Sequence, residues 1–363
     1  MAGSVGPSTY GPLDRMLATA RSLQGQQEVL QMQTTTGKVS QSYAGLAPIS
    51  AQVLSLSAAS IQRTAYTQAI EHAQGKASVM QDALTEVNRV ASAVSASALG
   101  ITGTVSPSVV QTVAGQARLA LQQIASLMNT KFGDEYVFAG ADSSNPPLPQ
   151  AETISASGMF TQIGVQVAAL ASVPTAPTVA AVIASTVSIA SSTASGTTVF
   201  SAYLSSTAAG AALPSLQVSD FQRVVVDLPA NRNVGAVSDP AIAGTGSAIS
   251  DILRSLSVLA NITGAMASNP DFAVLVCDAA VTLGSAAMTV SEQAGQIGLT
   301  QNTMTAATER HASLAMIFEK QLSLLTDVDL ATAITRVQAV NAQLQASYQI
   351  LSQARGLNLA SFL

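Results

Sequence analysis

The side chains that could perform acid, base or nucleophilic chemistry in this sequence are few, and their spacing does not assemble them. His72 and His311 are the only histidines, each close to an acid, Glu71 and Glu309, on what reads as a helix flank. Neither has the neighbours of a zinc site or a poised general base, so both read as parts of a solvated face. The single cysteine, Cys277, falls in the apolar run 272–277 and reads as a small buried hydrophobe. One thiol also excludes an internal disulfide framework. No Gly-rich loop ends in Lys-Ser or Lys-Thr, the Gly210, Gly235, Gly244 and Gly246 spacings make no dinucleotide fingerprint, and no Gly-Xaa-Ser-Xaa-Gly elbow occurs. Asp327 and Asp329 follow Thr326 where a helix would begin. Thr326 as cap and the two acids in the first turn suit the positive end of a helix dipole better than a catalytic pair. The expectation is therefore no enzyme, no cofactor and no metal.

What the sequence does carry is periodicity. Towards the C-terminal end apolar positions step by four and three through Leu330, Ile334, Val337, Leu344, Tyr348 and Leu351, with Asn341 as the polar member of the row. That is a coiled-coil seam and a candidate assembly interface. An interior Asn341 would set register, whereas a stripe rotated to use Val340 would leave it solvated, and the sequence leaves both open. Similar stripes run from Tyr66 through Ile70, Met80 and Val87 to Ala98, from Val110 through Leu121 to Met128, and from Leu283 through Val290 and Phe318 to Leu325. Each heptad of the terminal seam buries roughly two large side chains, worth about 3–6 kcal/mol. Ordering seven residues of backbone costs about 7–14 kcal/mol. The terminal arms are therefore expected to order fully only on pairing with each other and with neighbours.

Composition bounds the rest. Charged residues make up 10% of the chain, against about 25% in an ordinary soluble protein. Fifteen Lys and Arg face 20 Asp and Glu without basic clusters, so there is no electrostatic footprint for nucleic acid. Asp14, Arg15 and Arg21 interrupt a start rich in Ser, Gly and Gln; no cleavable signal peptide is expected. The charge-free stretch from Val165 to Ala190 is broken by Pro174 and Pro177 and diluted by Ser and Thr, so no membrane span is expected there.

Organisation follows from these patterns. A polar, Gln-rich helix is expected to close near Gly37, with stronger helices over 49–99 and 108–130, entered at Ser106 and Pro107. Residues 153–219 hold no Asp, Glu, Lys or Arg. The runs Thr197–Phe200 within it and Arg223–Val226 just after it read as strands, and 178–189 as strand or Ala-rich helix, so a β-rich domain is favoured over a low-complexity insert. Helix returns near Ser247, turns over 261–270, resumes as a long helix containing Cys277 and is punctuated near 323–329 before the terminal helix. The predicted fold class is α+β: a long bundle of paired N- and C-terminal segments, 1–145 and 247–363, with a β-rich insert over 146–246.

Two stretches carry a resemblance. Met128-Asn129-Thr130-Lys131-Phe132-Gly133-Asp134-Glu135-Tyr136-Val137-Phe138-Ala139-Gly140, followed by Pro146-Pro147, is similar to a signature of the hook-associated protein 3 group of the bacterial flagellin family. Asp327-Val328-Asp329-Leu330-Ala331-Thr332-Ala333-Ile334, with Leu344 to Tyr348 and Leu357-Asn358-Leu359-Ala360-Ser361-Phe362-Leu363, resembles that family's C terminus. Thr36-Gly37-Lys38 and Ala44-Gly45-Leu46-Ala47-Pro48 depart from the family's usual stretch after the first helix. The resemblance implies a secreted structural subunit at the hook–filament junction, self-associating in a ring. Its implied partners are hook-associated protein 1 and flagellin, with an export chaperone. It implies Asn129, Gly133, Tyr136, Phe138, Gly140, Asp327 and Asp329 as motif residues. The alternatives are a divergent flagellin forming the filament and, from another class, an Ala-rich signalling protein of chemoreceptor type.

Overall fold

A computed structural model describes residues 11–103, 106–170, 177–206 and 213–360. In chain order the helices are α1 (Gly11–Thr36), α2 (Ser50–Leu99), α3 (Pro107–Met128), α4 (Gly158–Ala169), α5 (Val179–Ala190), α6 (Ala248–Asn261), α7 (Phe272–Thr326) and α8 (Leu330–Ala360). The strands among the described residues form two small hairpins: β1 (Lys131–Phe132) with β2 (Glu135–Tyr136), and β3 (Ser215–Ser219) with β4 (Gln222–Val225). This is a helical bundle with a small β content. The chain forms two compact units, one from Met1–Ala65 and His311–Leu363, the other from Tyr66–Arg310.

In the first unit α1 and α8 pair. α1 ends where Gly37 takes φ +70 and returns its N–H to the Gln33 carbonyl at 2.8 Å, a conformation that costs glycine nothing.

The second unit is built on antiparallel helices. Gln74 donates to Thr305 at 3.1 Å and the Ser95 hydroxyl to the Ala280 carbonyl at 2.7 Å, which sets the register of α2 against α7. Gln123 of α3 donates to Glu86 of α2 at 2.9 Å. The α3 stripe Val110, Ala114, Ala117, Leu121, Ile124 and Met128 is buried throughout. α3, α4 and α5 all pack on α6, whose residues 248–260 are every one buried. Ser247 caps α6, accepting from the Ser250 N–H.

Among the described residues of 146–246 the strands are those of the β3–β4 hairpin, paired Ser215↔Val225, Leu216↔Val224 and Gln217↔Arg223. The charge-free stretch around 178–189 is helix, capped by Thr178, whose hydroxyl accepts from the Ala181 N–H. Thr197–Phe200 does not form the expected strand. Val199 is buried and the Ser201 N–H is taken by the Pro147 carbonyl at 2.8 Å, which fastens this run as a turn with no partner strand.

Three further expectations are corrected. Cys277 is exposed, because α7 packs through Leu275, Val276, Ala279 and Ala280 and turns Cys277 outward beside Val274 and Val281. In a run that is apolar all round, composition cannot say which side is covered. His311 is buried, since it continues the buried α7 row of Met304 and Ala307. Thr326 ends α7 instead of capping α8. α7 is also long and apolar enough to cross a membrane by length and composition, with 56% of its most apolar window buried inside the protein.

Candidate functional site

The α1–α8 pair holds the predicted seam. The buried α8 row is Ala333, Val340, Leu344 and Leu351, with Val337 half-buried between them. It keeps the four-and-three stepping but is rotated from the predicted row. Leu344, Leu351 and Val337 lie on it, while Leu330, Ile334 and Tyr348 stand outward, each about half exposed. Asn341 is half-buried at the boundary. Gln27 of α1 donates to its side-chain oxygen at 2.7 Å, and Gln24 donates to the Tyr348 hydroxyl at 2.7 Å. Polar α1 thus grips the flank of the apolar row with amides. An open groove of about 670 Å³ remains between Gly25, Val29 and Leu30 on one side and Ala339 and Val340 on the other. Among the described residues the pair leaves Leu330, Ile334 and the Tyr348 ring about half exposed on the outward face of α8.

The α7–α8 joint is tied to the end of α1. The Val39 N–H donates to the Thr326 carbonyl at 2.7 Å and the Val328 N–H to the Gly37 carbonyl at 2.9 Å. Lys38 pairs with Asp327 across this bridge, and Ser323 also donates to Asp327, at 2.7 Å. The Lys38 hydrogen bond, followed by that from Ser323, holds the Asp327 carboxyl below the ordinary carboxylate range. Asp329 caps α8. It accepts from the Ala331 N–H at 3.0 Å and from the Thr332 hydroxyl at 2.8 Å, and these bonds, the Thr332 hydroxyl foremost, lower its carboxyl too. Both acids serve helix ends.

The stretch 129–140 lies in the other unit, at the end of α3. The Asn129 side chain mimics a strand neighbour: its amide donates to the Leu148 carbonyl at 2.8 Å and its oxygen accepts the Leu148 N–H at 3.0 Å. Gly133 makes the β1–β2 turn with φ +60. Tyr136 is half-buried under the Lys131 ammonium, 4.5 Å from the ring centroid, a cation–π contact. Phe138 is buried, and its carbonyl accepts the Ala230 N–H at 2.9 Å. Gly140, at φ +65, lies under Pro229 and Tyr203. The segment clamps the bundle to 148 and to 229–230. Its residues touch the core more than they face outward.

Sequence reasoning missed Gln24, Gln27 and Lys38. A signal existed in the Gln-rich composition of α1, but not in any apolar pattern. Among the described residues no group of three or more His, Cys, Asp or Glu could hold a metal.

Residues 281–363, the later part of α7 and all of α8, match the bacterial flagellin C-terminal helical region. No curated protein sequence matches the chain. Among solved structures, a proposed flagellar hook-associated protein from Vibrio parahaemolyticus is similar with a TM-score of 0.48 and 11% identity, over 76% of this chain and 96% of that one.

Proposed function

We propose that this chain, whose C-terminal helical region is that of the bacterial flagellin family, joins hook to filament as a structural subunit of the hook-associated protein 3 kind. The observation that carries the reading is the outward, half-exposed row of α8, Leu330, Ile334 and Tyr348, lying within the matched region and beside a row already paired to α1. A helix with one covered and one uncovered apolar row is suited to adding neighbours without refolding. In this reading copies of the chain cover one another's outward rows in a ring, with hook-associated protein 1 on one side and flagellin on the other. The subunit acts outside the cell, is delivered there with an export chaperone, and works by assembly alone, with no catalysis. The seam residues Leu330, Ile334, Val337, Asn341, Leu344, Tyr348 and Leu351 serve as the assembly interface. In this reading the subunit divides into an N-terminal helical segment, 1–145, a variable insert, 146–246, and a C-terminal helical segment, 247–363, that packs with the first.

The family match favours a second reading, a divergent flagellin forming the filament. A label on this protein, seen by electron microscopy of sheared appendages, separates the two. A single band where hook meets filament supports the junction subunit, and label along the filament supports the flagellin. A deletion strain with unchanged hooks and filaments would overturn both.

A further inference from the structure

α6 has the sequence of a helix with one wet side, yet neither side is wet. Ile249, Ile252, Leu253, Leu256 and Leu259 form one face, and Ser250, Asp251, Arg254, Ser257 and Asn261 the other. The polar face is covered by α4 and α5 at Asn261 and Arg254, by α7 on the other side of Arg254, and by 244–245 at Asp251. Arg254 reaches Thr186 of α5, and Asn261 lies against Gly164 of α4. The α4–α5 layer comes from the stretch that contains no charged residue, so it brings no counter-charge to a guanidinium that is fully buried.

Arg254 is answered unevenly. One terminal nitrogen donates to the Thr186 hydroxyl at 3.2 Å and to Asp278 of α7 at 3.4 Å, and the other to Thr282 of α7 at 3.0 Å. Its Nε has no hydrogen-bond partner among the described residues. Thr186 is the polar member of an inward row otherwise made of Val179, Val182 and Ala190. Its hydroxyl gives its own proton to the Ile183 carbonyl at 2.8 Å, which leaves a lone pair for the guanidinium. That single bond is the layer's reply to the charge it covers.

We propose that the α4–α5 layer opens and closes as a unit over α6, and that Arg254 sets how readily it opens, with Thr186 as its catch. Closing the layer buries the apolar inner faces of α4 and α5 but strips water from a cation left one donor short. Opening returns that cation to water and exposes an α6 face already composed of polar groups, so the opening stops at the layer and the bundle beneath stays intact. This inference is independent of the flagellar reading.

Segment-resolved amide exchange on the full chain tests it with two variants of opposite expected sign. Arg254→Met removes the stripped charge and leaves Asp278 with access to water; exchange of α4 and α5 amides should slow by about tenfold or more. Thr186→Val keeps the shape but removes the catch, and the same amides should exchange about tenfold faster, the worth of one hydrogen bond to a charged group. Protection of α3 and α7 should hold in both. Arg254→Met losing protection across α3, α6 and α7 together would make Arg254 a simple core tie. Loss confined to α4–α5 in that variant would make it a holdfast with no releasing role. No change in 158–190 in either variant would remove the catch. Any of these overturns the proposal.

Discussion

Replacing Asn129 by Ala tests the claim that the 129–140 stretch acts as a clamp. The substitution removes two bonds to Leu148, at 2.8 and 3.0 Å, next to a residue only 1% exposed. The Leu148 carbonyl keeps the Ala151 N–H at 3.2 Å, so its loss is a second acceptor bond, worth about 0.5–1 kcal/mol. The Leu148 N–H loses its partner with little access to water, which costs about 1–3 kcal/mol. The sum, about 1.5–4 kcal/mol, should appear as a lower midpoint with unchanged slope in urea unfolding of the Tyr66–Arg310 unit. Exchange of the Leu148 amide should rise with it. Asn129→Asp, which can still accept from Leu148 N–H but sets a carboxylate against its carbonyl, should not restore the wild-type midpoint. A loss below about 0.5 kcal/mol, within the range of an ordinary surface change, would refute the clamp.

The remaining predictions concern the helical arms and one side chain. Leu344→Asp places a carboxylate in the buried α8 row and should abolish incorporation into appendages while the Tyr66–Arg310 unit keeps its unfolding midpoint; normal incorporation contradicts the seam. Acid should act oppositely on the two units. Asp327 and Asp329 have lowered folded values, so their contribution is full above the unfolded value of about 3.9 and lost as pH falls through the lower folded values. Asp251 and Asp278 are raised by burial, so their penalty is present at neutral pH and relieved as pH falls through those raised values. Amide exchange corrected for intrinsic rate, followed from about pH 6 to about pH 3, should therefore show the α1–α8 unit loosening first, and the reverse order would count against the Lys38–Asp327 tie. Cys277, outward on α7, should react fully with a thiol reagent in the native protein; a requirement for denaturant would restore the buried reading.

Much of the helical architecture was legible because it depends on local rules. Gly37 could end α1, Pro107 could open α3 and Ser247 could cap α6 from their own backbone chemistry, and the α3 stripe could be listed position by position. The insert was harder. Ala, Val, Thr and Ser suit strand and helix almost equally when no charge marks a wet face, and α5 became a helix because α4 and α6 offered it a surface. The α8 row was legible in its stepping and not in its rotation. Leu330 and Ile334 match the heptad as well as Ala333 and Val340 do, and the amides of Gln24 and Gln27 help set which row turns inward.

Period, caps, breaks and the poverty of catalytic groups follow from residue order alone, since each depends on neighbours within a turn or two of helix. Which face of each helix is covered depends on groups far away in the chain, 68 positions for Arg254 and Thr186 and 324 for Gln24 and Tyr348, and no local pattern encodes them. That is why Cys277 lies outside, His311 inside, and the polar face of α6, with the charge of Arg254 on it, beneath two helices that carry no charge of their own.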